Sequence, residues 1–261
     1  MKKRIEYFSE KHPQSYRFVE AVYRFICSFI FVFRGSKTDE NYWAQRHLNQ
    51  CEHNKDDWGN KNTDWLTGYR NSTNHPHRKL LIDAISKHHP SSILEIGCNC
   101  GPNLVLLAKK FPFAEIIGID INSLAVHQGN AWLKKQGIEN VKLFVGKTDE
   151  LQQFADKKFD IVFTDAVLIY LAADTISSAM QQMIRIANKA IILLEWNDFL
   201  REGNALGKFR KHWVRNYGAL AKKYVDSENV SVSKLPNGVW ADHKWKRYGA
   251  IIEVITHNKH T

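Results

Sequence analysis

The sequence predicts an α/β protein built on an open, doubly wound and mostly parallel β-sheet. Three observations support this fold class. From residue 78 onward, short apolar segments alternate with segments that have the apolar spacing of helices. The apolar segments are continuous rather than alternating, which is typical of strands covered on both faces. A turn containing glycines follows the first of them, at the edge of the sheet where such folds bind ligands.

The elements follow from this alternation in chain order. A helix is predicted to begin at residue 78, and strands are predicted at 92–96, 115–120, 141–145, 159–164 and 190–195. Helices are predicted between the strands, at 103–111, 123–136 and 174–187. A helical insert is expected over 204–225, within the region 198–228. Two last strands, at 230–235 and 248–256, would then close the sheet as an antiparallel hairpin.

Residues 1–77 differ from this pattern, and we interpret them as an amphipathic and aromatic cover segment on a domain formed by residues 78–261. Phe25–Phe33 is an apolar run between two arginines and is too short to cross a bilayer. Neither its flanks nor the residues after it resemble a signal peptide. Residues 1–37 therefore suit either an anionic membrane surface or a helix packed on the domain.

The second half of the cover segment, residues 38–77, is polar, rich in turn-forming residues and without periodicity. It has few aliphatic residues but several large aromatic ones. Such a composition predicts a lid or a wall over a pocket rather than a core layer. The aromatic residues concerned are Tyr42, Trp43, Trp58, Trp65 and Tyr69.

The chain has 261 residues, with 37 basic and 27 acidic side chains and a formal net charge of +10. Residues 1–37 hold 8 basic and 3 acidic side chains, and residues 198–261 hold 12 and 6, so the excess lies at the two ends. Such flanks favour an anionic partner, either a membrane surface, nucleic acid or a phosphorylated substrate, and improved solubility is the alternative. No apolar stretch reaches 18 residues, which excludes an integral membrane protein.

Four cysteines, Cys27, Cys51, Cys98 and Cys100, are too few and too irregularly spaced for a disulfide framework. This favours a reducing compartment, so we expect a cytoplasmic protein, peripheral on the membrane if residues 1–37 bind lipid. Cys98 and Cys100 form a C-x-C pair, and no second pair lies at a zinc spacing. The sequence therefore predicts no structural metal.

The chemistry is carried by the segment SILEIGCNCGPNL, which ends the first strand and opens the next helix. Glu95 ends the strand, and Gly97 and Gly101 let the backbone approach a ligand closely at the positive end of that helix. Asp120 ends the second strand, 25 residues after Glu95. A carboxylate in that position can accept two hydrogen bonds from ribose hydroxyls.

On these motifs the chain resembles the class I, S-adenosylmethionine-dependent methyltransferases, from about residue 91 to residue 256. The resemblance implies a Rossmann-like seven-stranded fold and S-adenosylmethionine as cofactor. It also implies that residues 159–171 lie under the methionine part of the cofactor. The implied cofactor-binding residues are Glu95, Gly97, Cys98, Asn99, Gly101, Asp120, Ile121, Asp149 and Asp165.

A nicotinamide enzyme is the main structural competitor, but its G-x-G-x-x-G fingerprint is not met, because Asn99 and Pro102 occupy the later glycine positions. The chain also departs from the methyltransferase pattern. Asn99 replaces the middle glycine, which asparagine tolerates because it enters left-handed conformations more readily than most residues. Lys147 stands where the family commonly has the aspartate that receives the adenine amino group. Asp149 is the expected substitute, and an N-cap for residues 150–154 is its alternative role.

The segments NYWAQRH and NHPHRKLL resemble methyltransferases of bacterial surface polysaccharide and lipid-linked glycan synthesis. The expected reaction is therefore O-methylation of a small-molecule or glycan hydroxyl, in which a general base accepts the hydroxyl proton. Candidate bases are His75, His77, Asp165, Tyr170, Glu195, Asp198, His212 and His243. Candidate substrate-binding residues are Tyr170, Glu195, Trp196, His212 and Arg215, and Lys211 and Trp213 would extend them as an anion-binding edge.

Two other functions stay open at this point. Nucleic-acid methylation is suggested by the charge, but no Asn/Asp-Pro-Pro-aromatic motif follows the fourth strand and no RNA-binding motif is visible, so nucleic acid is not the expected substrate. A catalytically silent cofactor-binding scaffold is the second alternative. The complete set of Glu95, Gly97, Gly101 and Asp120 argues against it.

Overall fold

The computed structural model describes residues 37–48, 64–199, 207–209 and 212–256, together with the single residues 15 and 22. Its helices are α1 (Lys37–Ala44), α2 (Trp65–Asn71), α3 (Pro76–Ser86), α4 (Pro102–Lys110), α5 (Ser123–Lys135), α6 (Ile176–Ile186), α7 (Tyr217–Ala221) and α8 (His243–Tyr248). Its strands are β1 (Ser92–Ile96), β2 (Glu115–Asp120), β3 (Val141–Val145), β4 (Phe159–Asp165), β5 (Ala187–Trp196), β6 (Gly207–Phe209), β7 (His212–Val214), β8 (Val230–Lys234) and β9 (Gly249–Ile255).

Seven strands form one sheet in the order β3-β2-β1-β4-β5-β9-β8, and the first five pair in parallel. Strand β9 pairs antiparallel with both β5 and β8, so the sheet closes with an antiparallel edge. The predicted fold class is confirmed. The order reverses at β1, because β2 lies on one side of it and β4 on the other. Ligands in open parallel sheets bind at such a reversal, beyond the carboxyl ends of the strands.

Two apolar layers cover the two faces of the sheet. Buried side chains of α3, α4 and α5 pack on one face, and those of α6 and α7 pack on the other. The central strand β4 explains this arrangement, because its first six residues are all buried. A strand covered on both faces is mostly apolar, and in β4 only Asp160 and Thr164 interrupt the buried apolar residues.

One element prediction was wrong. The segment 204–225, expected to be helical, contains in its described parts the two-stranded sheet of β6 and β7 and the short helix α7. Asn216 accepts a hydrogen bond from the backbone N–H of Ala219 at 2.8 Å, so it caps a helix that begins only at Tyr217. Trp213 and Val214 before it are buried against the domain as strand residues. Tertiary packing overrides the helical propensity of this segment.

Helices α1 and α2 also lie in a segment for which the sequence predicted no periodic structure. The side chain of Asp64 accepts a hydrogen bond from Thr67 N at 3.0 Å and caps α2, a signal that the sequence analysis missed. The apolar run at 25–33 and residues 49–63, with Trp58, lie outside the described residues. Within the described part of the chain, no helix is long and apolar enough to cross a membrane.

Candidate active site

An open pocket lies at the carboxyl ends of β1, β2, β3 and β4 and contains about 1100 Å³ of space, including the solvent at its mouth. Eight of the nine predicted cofactor residues line it: Glu95, Gly97, Cys98, Asn99, Asp120, Ile121, Asp149 and Asp165. Gly101 does not line the pocket. It precedes α4 with a φ of +86°, so its role is to turn the chain into the helix.

The turn after β1 alternates left-handed residues, with φ of +74° at Gly97 and +52° at Asn99. A Cβ atom added to Gly97 would lie 2.3 Å from the Val167 Cγ2 atom, which is a severe steric clash. Asn99 tolerates its conformation because its side chain accepts a hydrogen bond from Cys100 N at 2.7 Å. The turn therefore requires glycine at 97 and accepts asparagine at 99.

Glu95 is 1% exposed, and its two carboxyl oxygens have different surroundings. Oε1 accepts a hydrogen bond from Asn103 Nδ2 at 2.6 Å, whereas Oε2 is buried without a partner among the described residues. Burial raises the pKa of Glu95 to about 8, against the lowering effect of Asn103. A buried acceptor without a partner is costly, so this atom is suited to a ligand that brings a donor.

Asp165, at the end of β4, is held as an anion by three donors. Its Oδ2 atom lies 3.0 Å from His77 Nε2, 3.2 Å from Arg78 Nη1 and 3.0 Å from Asn103 Nδ2. Burial opposes ionisation, but the charges and hydrogen bonds of these donors hold the pKa of Asp165 well below its usual range. Asn103 thus bridges a carboxylate at Asp165 and a carboxyl at Glu95 that is largely protonated at neutral pH.

Asp120 organises the turn from the neighbouring strand. Its Oδ2 atom accepts a hydrogen bond from Asn99 N and its Oδ1 atom accepts one from Asn122 N, both at 2.8 Å. Burial raises the pKa of this carboxyl, and the two backbone donors act in the opposite direction. The side chain lines the pocket, so its remaining lone pairs face the space where the sequence predicted ribose.

The end of the pocket near β3 explains the unexpected lysine. Lys147 Nζ lies 3.3 Å from Glu40 Oε2 of α1, and both residues line the pocket. The backbone N–H of Lys147 donates to Glu150 Oε2 at 3.1 Å, so Lys147 occupies the N-cap position of the 3₁₀ turn over 148–153. Asp149 lies inside that turn and lines the pocket; the alternative N-cap role considered for it was wrong.

Helix α1 contributes Glu40 and Trp43 to the lining of the pocket. The Trp43 ring is 4.5 Å from the Tyr170 ring and 6.3 Å from the Trp65 ring, measured between centroids. The backbone carbonyl of Trp43 accepts a hydrogen bond from Asn122 Nδ2 at 3.0 Å. Together with the Lys147 contact, these interactions hold α1 against the pocket.

Among the predicted substrate residues, only Tyr170 lines the pocket. The His212 ring lies 5.1 Å from the Tyr170 ring and 4.8 Å from the Trp196 ring, so these three residues form a row whose last member, Trp196, is buried. Glu195 and Arg215 are buried beneath the turn after β4, and their hydrogen bonds go to that turn. The prediction that these two residues bind substrate is corrected accordingly.

Two of the other candidate bases are joined to the pocket through Asp165. His75 Nδ1 lies 2.6 Å from His77 Nδ1, and His77 Nε2 lies 3.0 Å from Asp165 Oδ2. His77 also stacks on Trp240 with centroids 4.2 Å apart. Asp198 is buried after β5, and His243 begins α8. Lys211 lies outside the described residues.

Three site residues were missed by the sequence analysis, namely Arg78, Asn103 and Asn122. All three are buried polar residues in or just before the first turn of a helix that follows a strand or precedes the sheet. Buried polar side chains of this kind are retained for their hydrogen bonds. The signal available in the sequence was their position next to recognised features, since Asn103 lies two residues after Gly101.

Comparison with known protein families gives an independent finding. The sequence profile described as Methyltransferase domain matches residues 87–247, more than half of the chain. The chain belongs to this methyltransferase family. The matched region is thus a methyltransferase domain, of a family that uses S-adenosylmethionine.

Individual relatives are distant. An uncharacterized protein of Haemophilus influenzae is 28% identical to this methyltransferase over 149 residues, which are 57% of this chain and 54% of that protein. The malonyl-[acyl-carrier protein] O-methyltransferase of Priestia megaterium is 35% identical over 75 residues, 29% of this chain and 26% of that enzyme. The chain spans about half or less of the length of the curated relatives it matches.

The fold is shared with solved structures. The 1,6-didemethyltoxoflavin-N1-methyltransferase of Burkholderia thailandensis, determined with 1,6-didemethyltoxoflavin and S-adenosylhomocysteine, superimposes with a TM-score of 0.55 at 11% identity. The match covers 73% of this methyltransferase and 83% of that chain. At this identity the likeness concerns the fold alone.

The residues in the pocket fit the cofactor. The unpartnered Glu95 Oε2 atom is suited to the cofactor's ammonium group, and the glycine at 97 leaves the pocket free of a side chain where the turn passes closest to Val167. When bound, S-adenosylmethionine supplies a methyl group on a positively charged sulfur. Asp165, whose pKa is held low, would place a negative charge in the same pocket.

Proposed function

We propose that this methyltransferase transfers the methyl group of S-adenosylmethionine to a hydroxyl of a small molecule or glycan. The observation that carries the proposal is the placement of the Tyr170 ring in the pocket wall, at the start of the row it forms with His212 and Trp196. Aromatic rings pack against the apolar faces of sugars and planar small molecules, while their polar atoms orient hydroxyls. The row therefore supports an acceptor site that adjoins the cofactor pocket.

The proposed roles of the cofactor residues follow from their contacts. Glu95 accepts a hydrogen bond from the ammonium group and loses its proton in doing so, because a neighbouring cation favours the carboxylate. Asp120 accepts hydrogen bonds from the ribose hydroxyls with the lone pairs that its two backbone contacts leave open. Trp43 and the rest of α1 exclude water from the pocket mouth, which keeps the reacting groups aligned and dry.

His212 is the proposed general base. A methyl transfer to a hydroxyl requires removal of one proton, and Asp165 is poorly suited to receive it because its pKa is held low. The His212 ring lies beside Tyr170, whose side chain lines the pocket. In the proposed reaction, the imidazole of His212 would accept the proton of the acceptor hydroxyl, and bound S-adenosylmethionine would supply the methyl group that replaces that proton.

The basic ends of the chain support a further part of the proposal. Residues 1–37 combine an excess of basic side chains with the apolar run 25–33, which suits reversible binding to an anionic membrane surface. A cytoplasmic enzyme attached in this way would reach a lipid-linked acceptor. Sedimentation with vesicles of increasing anionic lipid content tests this, and binding that is absent at every composition would contradict it.

The function is tested in two stages. Calorimetric titration with S-adenosylhomocysteine should show saturable binding, and the Asp120→Ala variant should bind at least about tenfold more weakly because it loses charge-assisted hydrogen bonds. Methyl-labelled cofactor is then incubated with panels of hydroxylated small molecules, glycans and RNA. Absence of cofactor binding would refute the function, and labelling of RNA alone would replace the proposed acceptor class.

A further inference from the structure

The turn between β4 and the next helix forms the wall of the pocket on its β4 side. Ala166, Val167, Tyr170 and Leu171 of this turn line the pocket. Ala166 has a φ of +59°, a left-handed conformation that costs an alanine free energy and persists only where surrounding contacts enforce it. A conformation of this kind raises the question of what holds the turn in place.

Glu195 holds the turn from its N–H side. The carboxylate is completely buried, and Oε1 accepts hydrogen bonds from Val167 N and Leu168 N, both at 3.0 Å. Oε2 accepts one from Ile169 N at 3.2 Å, and the Thr164 hydroxyl donates to Oε1 at 2.8 Å. Three successive backbone N–H groups of the turn therefore converge on one carboxylate of β5.

Arg215 holds the same turn from its carbonyl side. Its Nη1 atom donates to Leu168 O at 3.0 Å, and Nη2 donates to Leu171 O. The guanidinium is 4% exposed and stacks over the Trp213 ring at 4.8 Å. The backbone of Arg215 is joined to the segment after β5, because Asp198 N donates to Arg215 O at 2.7 Å.

The turn after β4 also packs against the glycine turn after β1. The Val167 side chain lies against Gly97, so closely that no Cβ atom fits between them. A shift of the turn would therefore move Val167 into or away from the glycine turn that passes the cofactor. This contact links the acceptor side of the protein, through Arg215 and Glu195, to the cofactor pocket.

We infer that Glu195 and Arg215 are positioning residues that hold the turn 166–171 in its strained conformation, so that cofactor affinity depends on two side chains outside the pocket. The inference rests on the proposed function. It also means that the segment 212–215, which carries His212, must be in place before the pocket binds cofactor tightly. Assembly of the acceptor side and cofactor binding are therefore coupled.

The test measures affinity for S-adenosylhomocysteine and thermal stability together. The Glu195→Gln variant keeps the shape of the side chain but presents an amide NH₂ to backbone N–H groups, and we expect at least tenfold weaker binding. The Arg215→Gln variant should show a similar loss, and Arg215→Lys, which keeps a donor, should recover part of it. The matched control is Glu253→Gln, because Glu253 pairs with His88 at 2.7 Å on β9, midway along the sheet.

The outcomes are distinct. Weaker binding in both Glu195→Gln and Arg215→Gln, with binding unchanged in a control that has lost as much thermal stability, supports the positioning role. Wild-type affinity in folded Glu195→Gln or Arg215→Gln protein would overturn it. Failure of the wild-type protein to bind S-adenosylhomocysteine would instead refute the proposed function. If Arg215→Gln does not fold, the Glu195→Gln variant decides the question.

Discussion

Two buried glutamates lie near the carboxyl ends of strands of the sheet, Glu95 on β1 and Glu195 on β5. They differ in how many hydrogen-bond donors of the protein reach their carboxyl groups. Both are nearly or wholly inaccessible, and burial raises the pKa of Glu95 to about 8 and that of Glu195 to about 7. Four protein donors reach Glu195 and use both of its oxygens. One donor reaches Glu95 and leaves Oε2 unpartnered in the described structure.

This difference separates a framework residue from a ligand-binding residue more clearly than burial or pKa does. A carboxylate that the chain itself saturates has no capacity left for a ligand, so Glu195 stabilises the turn. A carboxylate that the chain leaves incomplete is costly until a ligand supplies the missing donor, so we expect Glu95 to bind the ligand.

The largest effect is expected at the contact between Gly97, in the turn after β1, and Val167, in the turn after β4. In Gly97→Ala, the new Cβ atom would lie 2.3 Å from Val167 Cγ2, and the residue keeps a φ of +74°. We expect the free energy of unfolding to fall by about 2 to 5 kcal/mol and S-adenosylhomocysteine affinity to fall about 100-fold or more. Thermal denaturation and calorimetric titration measure the two quantities.

Gly137→Ala is the control for this change. Gly137 also has a positive φ, +68°, but a Cβ atom there would meet nothing within 4 Å. It should cost about 1 to 2 kcal/mol of stability from backbone strain and leave binding unchanged. Equal losses of affinity in the two variants would show that steric contact with Val167 is not the cause.

This contact also shows how far the sequence leads. Strands β1 to β4 were predicted within one residue at each end, because continuous apolar runs are bounded by charged, glycine or turn residues. The glycine turn and the strand-end acids were predicted because local spacing defines them. The hydrogen-bond partners of Glu195 and Arg215 could not be predicted in this way. Glu195 contacts Thr164, 31 residues away in the chain, and Arg215 contacts Leu168, 47 residues away. Only the folded sheet brings such groups together.

The next effect compares the same substitution, glutamate to glutamine, at Glu95 and at Glu195. Glu95→Gln removes the charge that faces the ligand, and affinity should fall about 10- to 100-fold, the equivalent of one charge-assisted hydrogen bond. Its thermal stability at pH 8 and above should be unchanged or higher, because a buried carboxylate no longer has to form. Glu195→Gln should lower stability instead. A stability loss in Glu95→Gln as large as that in Glu195→Gln would remove the distinction between them.

A smaller effect concerns pH. The pKa of Glu95 is raised in the folded protein, so its contribution to stability is present below its unfolded pKa and is lost as pH rises through about 8. Binding has the opposite sign, since the ligand's ammonium group favours the carboxylate. Affinity should therefore rise by up to about tenfold per pH unit below pH 8 and then level off.

Calorimetry in buffers of different ionisation enthalpy measures this proton release. The contribution of Glu195 to the stability of the protein is also lost as pH rises through about 7, but its carboxyl group is not expected to contact the ligand. The Glu95→Gln variant should therefore show no proton release from this source, whereas Glu195→Gln should retain it. Release of the same number of protons by Glu95→Gln and wild type would assign the linkage to another group.

The smallest effect is expected at the ion pair between Lys147, after β3, and Glu40 of α1. Lys147 and Glu40 form a pair 3.3 Å apart in which both side chains are about a third exposed, at 40% and 30%. Exposed pairs contribute little and are screened by salt, so Lys147→Met should weaken S-adenosylhomocysteine binding by no more than about fivefold, and less at high ionic strength. Lys158→Met is the matched control, because Lys158 forms a similar exposed pair with Glu115, 3.1 Å away, at the amino ends of β4 and β2 and therefore away from the pocket. A loss well above fivefold, or one that salt does not reduce, would mean that Lys147 contacts the cofactor itself rather than anchoring α1 over it.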